Sequence, residues 1–541
     1  MGKVDDNKPS RRYGQDRAAH TRIGFGYDPR MRTGISSRAA VALAAIFALA
    51  LLLRLAWLAG TDTVLLPLSD PQYYHATAQN IAEGRGYSVA LDHQSFVAGD
   101  KSEGTAFWAP GYPLALAPLY KLFGPSVRVA TVFNAVAGAL TVVPVFVLAA
   151  RLGGESGVGG EHSKQQTANS KAPGESREQR AESSGDGDSK QQTANSNALR
   201  REGREQRAES RGAALIFGFE RAEATGVLAA MLFAIGPGLI FWTATLFSEP
   251  LFTLGVASTL AVAMWAGERR SVAAYFAAGL VLAATAFVRS QGMLMIVPVG
   301  VLLLAPLRGA SARRAPGVSM RDLARVAVPV AAAIALLVVP WGVRNQAVMG
   351  RPYLINDSLG YNLRLAHGPY SQGTSVPPQD LWDERPGISF KQREIFFDDE
   401  GRSRALTYMR EHPGREVELA FRRIGYLLRS DAEASVQWSE SLGATPVSGR
   451  ALFILLGDLW YYPVLLLASA SLVAAPRTRA WLAMWSSLAA WGVLHLVFAG
   501  EPRYHVPLLP VVAALAAATI VRAGELVTGG DREPASGGSS Q

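Results

Sequence analysis

VALAAIFALALLLRLAWLAG, residues 41–60, carries one charged side chain in twenty positions. A bilayer core takes about 20 mostly apolar residues per helix, so this stretch reads as a membrane span. The chain repeats the pattern, as in VAVPVAAAIALLVVPWGV at 326–343. Candidate spans fall at 39–59, 127–150, 224–246, 250–266, 271–288, 291–307, 326–343, 451–473, 480–499 and 505–522. The composition agrees: 49% of the 541 residues are hydrophobic and only 18% charged, the charges being gathered in a few segments. A single soluble core is excluded. The expected class is an all-α integral membrane protein with about ten transmembrane helices, interfacial helices in its first outer loop and a mostly helical second one.

With no cysteine, the chain has no disulfide, thiolate metal site or cysteine nucleophile. A net charge of +9 could suggest nucleic acid, but the Lys and Arg sit in the N-terminal tail, a central insert and short loops between apolar runs. Positive-inside topology accounts for them, so membrane lipids rather than nucleic acid are the expected partners.

Residues 1–38 are polar and Arg-rich and read as a disordered cytoplasmic tail; the apolar run that follows is too long for a cleaved signal peptide. Residues 39–343 form a transmembrane module, 344–450 an extracytoplasmic loop or small domain, 451–522 the C-terminal transmembrane helices and 523–541 a second cytoplasmic tail. Threaded from an inner N-terminus, Arg151, Glu268 to Arg270, Arg308 to Arg325 and Arg477 to Arg479 fall inside, as the rule requires. Segments 60–126 and 344–450 fall outside. APGYPLALAPLYKLFG at 109–124, short and broken by Pro113 and Pro118, reads as a helix along the interface. The insert 152–222 is internally duplicated: SKQQTANS at 163–170 returns at 189–196, and REQRAES at 177–183 returns at 204–210. It is polar, low in complexity and unable to bury a core. In the second outer segment, 401–412 and 414–430 read as helices separated at Pro413, the latter apolar on one face and basic on the other.

Polar groups at span ends stand out because the bilayer penalises them. Ser69-Asp70-Pro71-Gln72-Tyr73-Tyr74 follows the first span, and Ser248-Glu249-Pro250 lies in an outer turn. Both read as helix starts, with Asp70 as N-cap and Pro71 at the first helical position. The threading delivers both carboxylates to one membrane face, making Asp70 and Glu249 the candidate catalytic residues. Arg289, Arg344 and Arg503 also sit at outer span ends. Three guanidinium groups there suit an anion, and a lipid phosphate at headgroup depth is the natural one. His75, His93, His367, His412, His495 and His505 show no metal-ligand spacing, whereas a divalent ion between Asp70 and Glu249 is conceivable. No glycine-rich nucleotide signature is present, which disfavours a cytosolic nucleotide-sugar donor.

In SDPQYYHATAQNIAEGRGY (69–87), APGYP (109–113), LFSEPLFTL (246–254), VRSQG (288–292), PWGVRN (340–345), GYNL (360–363), EHP (411–413) and RYHVPLLP (503–510), the chain resembles the GT-C superfamily of polytopic glycosyltransferases. It is nearest the dolichyl-phosphate-mannose-protein mannosyltransferase-like branch, to which the aminoarabinose transferase of lipid A looks related. The ordered series runs from about 40 to 525, outside the insert and tails. The resemblance implies a polyprenyl-phosphate sugar donor, an envelope acceptor, a site on the outer face of the plasma membrane, and an essential acid in the first outer loop, which Asp70 matches. The mannosyltransferases often carry Asp-Glu where this chain has Asp70-Pro71. Asp70 is the expected base, Glu249 would position the acceptor or a metal ion, and Tyr73, Tyr74, Arg289, Arg344, Arg503 and Tyr504 would bind donor. A transporter would instead carry buried charge near the bilayer midplane, and a noncatalytic lipid-binding scaffold would keep the arginines without needing Asp70.

Overall fold

The computed structural model describes residues 35–154, 215–304, 319–431 and 447–529, apart from 62, 217, 475 and 477. Most of the expected tails and of the duplicated insert lie outside the described residues, but the last helix continues to Gly529, past the expected tail boundary at 523.

Each of the ten apolar segments is helical over most of its described residues. Among the described residues, seven helices are long and apolar enough to cross a membrane: Ser37–Ala59, Val127–Gly154, Glu249–Arg269, Met320–Met349, Ala451–Val473, Arg479–Val497 and Pro502–Gly524. Arg221–Ala234 and Pro237–Ala244 make an eighth span bent by 58°, the break falling where Pro237 has no N–H to continue the ladder. Val272–Val288 and Ser290–Leu304 are apolar but shorter. The protein is an all-α, multi-pass membrane protein, and the count of about ten is reached only with the bent pair and the two short helices.

Helices pack here through small residues, which let backbones approach closely. At Gly279 a Cβ would lie 2.7 Å from the Val330 carbonyl oxygen, so the Val272–Val288 and Met320–Met349 helices meet almost backbone to backbone. Gly153 packs against Thr225, where a Cβ would lie 2.5 Å from the hydroxyl. The chain on either side of the insert is therefore already side by side. Deleting 160–212 and joining the ends is expected to leave membrane level and monodispersity unchanged, since loop length alone costs about 0.6 kcal/mol per doubling. Fluorescence-detected size-exclusion chromatography checks this, and an aggregated deletion would assign the repeats a structural role.

The segment 60–126, expected to lie outside, holds helices Asp70–Ala82 and Gly111–Phe123. Thirteen residues at about 1.5 Å each reach roughly 20 Å, too short to span, which fits the interfacial reading of 109–124. Between them lies a three-stranded antiparallel sheet the sequence reading did not anticipate, Ser88–Asp92 flanked by Ser95–Val97 and Glu103–Gly104. The segment 344–450, likewise expected outside, supplies helices Leu359–Ala366, Gln379–Glu384, Phe390–Glu411 and Pro413–Leu427. The third of these begins eleven residues before the expected 401, at a capping box formed by Ser389 and Gln392. Tyr73, Phe96, Phe107, Phe390 and Phe397 join the two segments in one buried aromatic cluster.

Candidate functional site

Both acid-proline helix starts differ by one residue from the expected assignment. Ser69, not Asp70, is the N-cap, its hydroxyl accepting the Gln72 N–H, and Asp70 is the first helical residue. The same shift makes Glu249 the first residue of its helix, after Ser248. Asp70 is thereby released from capping, and its carboxylate faces Arg503 at 3.2 Å.

The start of that helix is held from two sides. Leu68 sits in the left-handed region with φ 55°, unfavourable for a branched side chain. The Gln72 amide oxygen accepts from its N–H at 3.0 Å and from Phe96 N–H at 2.9 Å. That amide ties the turn before Asp70 to the outer sheet. Glu249 is delivered by the irregular segment after the bent span. There Asn134 donates to the Thr245 and Phe247 carbonyls at 2.9 and 3.1 Å and accepts from the Tyr112 hydroxyl at 3.0 Å. Buried non-helical backbone needs such partners.

Two ion pairs meet around Tyr504. Arg503 binds Asp70, pairs with Glu501 at 2.7 Å and donates to the Tyr504 hydroxyl at 3.0 Å. Arg289 pairs with Glu249, and its guanidinium carbon lies 5.8 Å from the Tyr504 ring centre, with that of Arg503 at 4.9 Å. Tyr74 lies within electrostatic reach of Asp70, Arg289 and Glu249; burial and then the Asp70 charge raise its phenol above the usual tyrosine range. Six of the eight expected residues thus converge: Asp70, Tyr74, Glu249, Arg289, Arg503 and Tyr504. The cluster is graded in depth. Asp70 retains 20% side-chain exposure and Arg503 16%, whereas Glu249 retains 1%, and Glu249 Oε2 is a buried acceptor with no hydrogen-bond donor.

Tyr73 and Arg344 lie elsewhere. Tyr73 turns into the aromatic cluster, its hydroxyl 3.0 Å from that of Thr105. Arg344 donates to the Tyr87 and Thr105 carbonyls and stacks over Trp341. Both hold the outer sheet rather than the cluster. The metal reading for Asp70 and Glu249 does not fit: each carboxylate faces a guanidinium, and among the described residues no three His, Asp or Glu side chains are grouped to hold an ion.

Comparisons with known proteins reach the chain only through structure. No family model matches, and no curated protein matches. The crystal structure of the Archaeoglobus fulgidus oligosaccharyltransferase in its apo form aligns at 13% identity and a TM-score of 0.45, covering 91% of this chain and 51% of that one. The chain spans about half the length of that protein.

Glu501 escaped the sequence reading, yet Glu501-Pro502 repeats the acid-proline pattern of Asp70-Pro71 and Glu249-Pro250. Its second oxygen accepts the Ser375 N–H at 3.0 Å, and Gly500 N–H donates to the Gly373 carbonyl at 2.8 Å, so a strap of the second outer segment is pinned beside Arg503. A second missed feature is the buried pair Asp357 and Glu394. Glu394 accepts from the Thr105 hydroxyl and from Ala106 N–H. Burial, then the neighbouring Asp357 charge, pushes its carboxyl well up; burial pushes Asp357 up to about 7, with Asp398 adding to the rise and Arg351 opposing it.

A carboxyl raised in the folded state keeps its proton while the unfolded chain has already lost it. Stability from this pair is therefore full below about pH 4 and declines as pH rises toward about 7. The melting temperature of wild type, referred to that of Asp357→Asn, is expected to fall across this window; parallel curves would contradict the assignment.

Proposed function

We propose that the protein is a membrane glycosyltransferase that moves a sugar from a polyprenyl-phosphate donor to an envelope acceptor at the outer face of the plasma membrane. The observation that carries this reading is the pairing of a partly exposed carboxylate with a guanidinium, Asp70 with Arg503, beside a second pair, Glu249 with Arg289. The GT-C-like motif series supports the same reading, in the mannosyltransferase-like branch.

The chemistry is a single displacement. An acceptor hydroxyl attacks the anomeric carbon as the bond from that carbon to the phosphate oxygen breaks; Asp70 takes the hydroxyl proton and polyprenyl phosphate leaves with the bonding pair. Phosphate is a good leaving group, so it calls for cationic stabilisation by Arg503 and Arg289 rather than a second carboxylic acid. Arg503 Nη1 donates to Asp70 Oδ2 at 3.2 Å and so competes with that proton for its lone pairs. A donor phosphate that engages Arg503 frees them, coupling donor binding to the availability of the base. Glu249 would position the acceptor, and Tyr74 and Tyr504 would line the donor.

Two tests address the reading. Reporter fusions near Gly99 and Ser375 are expected to signal outside and one near Asn195 inside; an outside signal at Asn195 would invert the proposed site. Purified protein given polyprenyl-phosphate sugars with labelled sugar is expected to release polyprenyl phosphate and move label into an envelope fraction. A folded protein that consumes none of the donors would contradict the proposal.

A further inference from the structure

Arg54 lies in the first span with its side chain fully buried. Its Nη1 donates to the Ala50 and Ala234 carbonyls at 3.0 and 3.3 Å, but Nε and Nη2 have no hydrogen-bond partner. Arg54 lines a small cavity of about 10 Å³ together with residues that include Gly138, Thr141, Trp242, Thr253 and Val506. Gly138 makes the room, since a Cβ there would lie 2.7 Å from Arg54 Nε. Trp242 brings a second buried N–H without a partner. The two threonine hydroxyls donate to the helix carbonyls of Ala137 and Glu249. No carboxylate lines the cavity.

An arginine stays charged at any physiological pH, and an uncompensated charge inside a membrane bundle is among the most unfavourable groups a protein can hold. Backbone carbonyls satisfy one nitrogen and supply no countercharge. The cavity is too small for a phosphate or a carboxylate; a body about the size of a water molecule or slightly larger is a water or a monatomic anion, and only the anion supplies the missing countercharge. We propose that Arg54 holds a single halide ion, chloride under physiological conditions, through Nε and Nη2. Pro250 and Val506, which also line the cavity, adjoin Glu249 and the segment bearing Arg503. The anion would therefore sit directly beneath the carboxylate-arginine cluster, as a structural ion independent of what that cluster transfers.

The test uses the full chain in detergent, exchanged into sodium gluconate and titrated with chloride or bromide at constant ionic strength. Wild type is expected to show a saturable rise in melting temperature with both halides, and Arg54→Met none. Bromide anomalous scattering from wild-type crystals is expected to give a peak against Arg54. Equal melting temperatures in gluconate and chloride would overturn the proposal, as would a halide response undiminished in Arg54→Met. Should Arg54→Met fail to fold, the bromide experiment decides alone: a peak against the guanidinium supports the site, and no peak there means that water fills it.

Discussion

Asp70→Asn is expected to lower sugar transfer by about 10² to 10⁴-fold, the usual contribution of a general base, while the melting temperature changes little. Asparagine keeps the size of the side chain and loses only the base and the ion pair with Arg503. That pair is partly exposed on both sides, and such pairs contribute about 0 to 1 kcal/mol. Helix capping does not enter, because Ser69 supplies the cap. Asp70→Ala should therefore resemble Asp70→Asn in both measurements. Transfer rates and melting temperatures of the three proteins check this. An asparagine variant with full turnover would remove Asp70 from the chemistry and leave Glu249 as the next candidate.

Arg289→Ala should destabilise the protein by about 3 to 5 kcal/mol, because it strands the Glu249 carboxylate where its side chain is 1% exposed. Glu249→Gln with Arg289→Gln should recover most of that loss, since a neutral amide pair carries no desolvated charge. Denaturation midpoints of Arg289→Gln, Glu249→Gln and the double variant form the cycle that reads the coupling. An Arg289→Ala protein that melts with wild type would mean that water or another cation reaches Glu249.

The spans were legible because a bilayer imposes length and composition on each helix separately. The outer sheet was not: its strands run from two to five residues, too short for alternation to show. Ser69 and Asp70 are both good caps, so the sequence could not say which one caps, yet that single residue decides whether Asp70 is free. Tyr73 and Tyr74 are neighbours about 100° apart around a helix, and only packing reveals that the second faces Arg289 while the first joins the aromatic cluster. Arg344 and Arg503 occupy similar positions at span ends, and the rotation of each helix separates a sheet clamp from a site residue. Glu501 was readable as the third acid-proline pair. Asp357 and Glu394 were not, because folding alone joins them.

The most direct test of the central claim is mass spectrometry of envelope glycans and lipid-linked sugars from cells carrying wild-type protein, the Asp70→Asn variant or none. A polyprenyl-phosphate transferase predicts that one sugar accumulates on its lipid carrier, and disappears from one glycan, in both the variant and the null cells. Identical carrier pools and glycans in all three would contradict it.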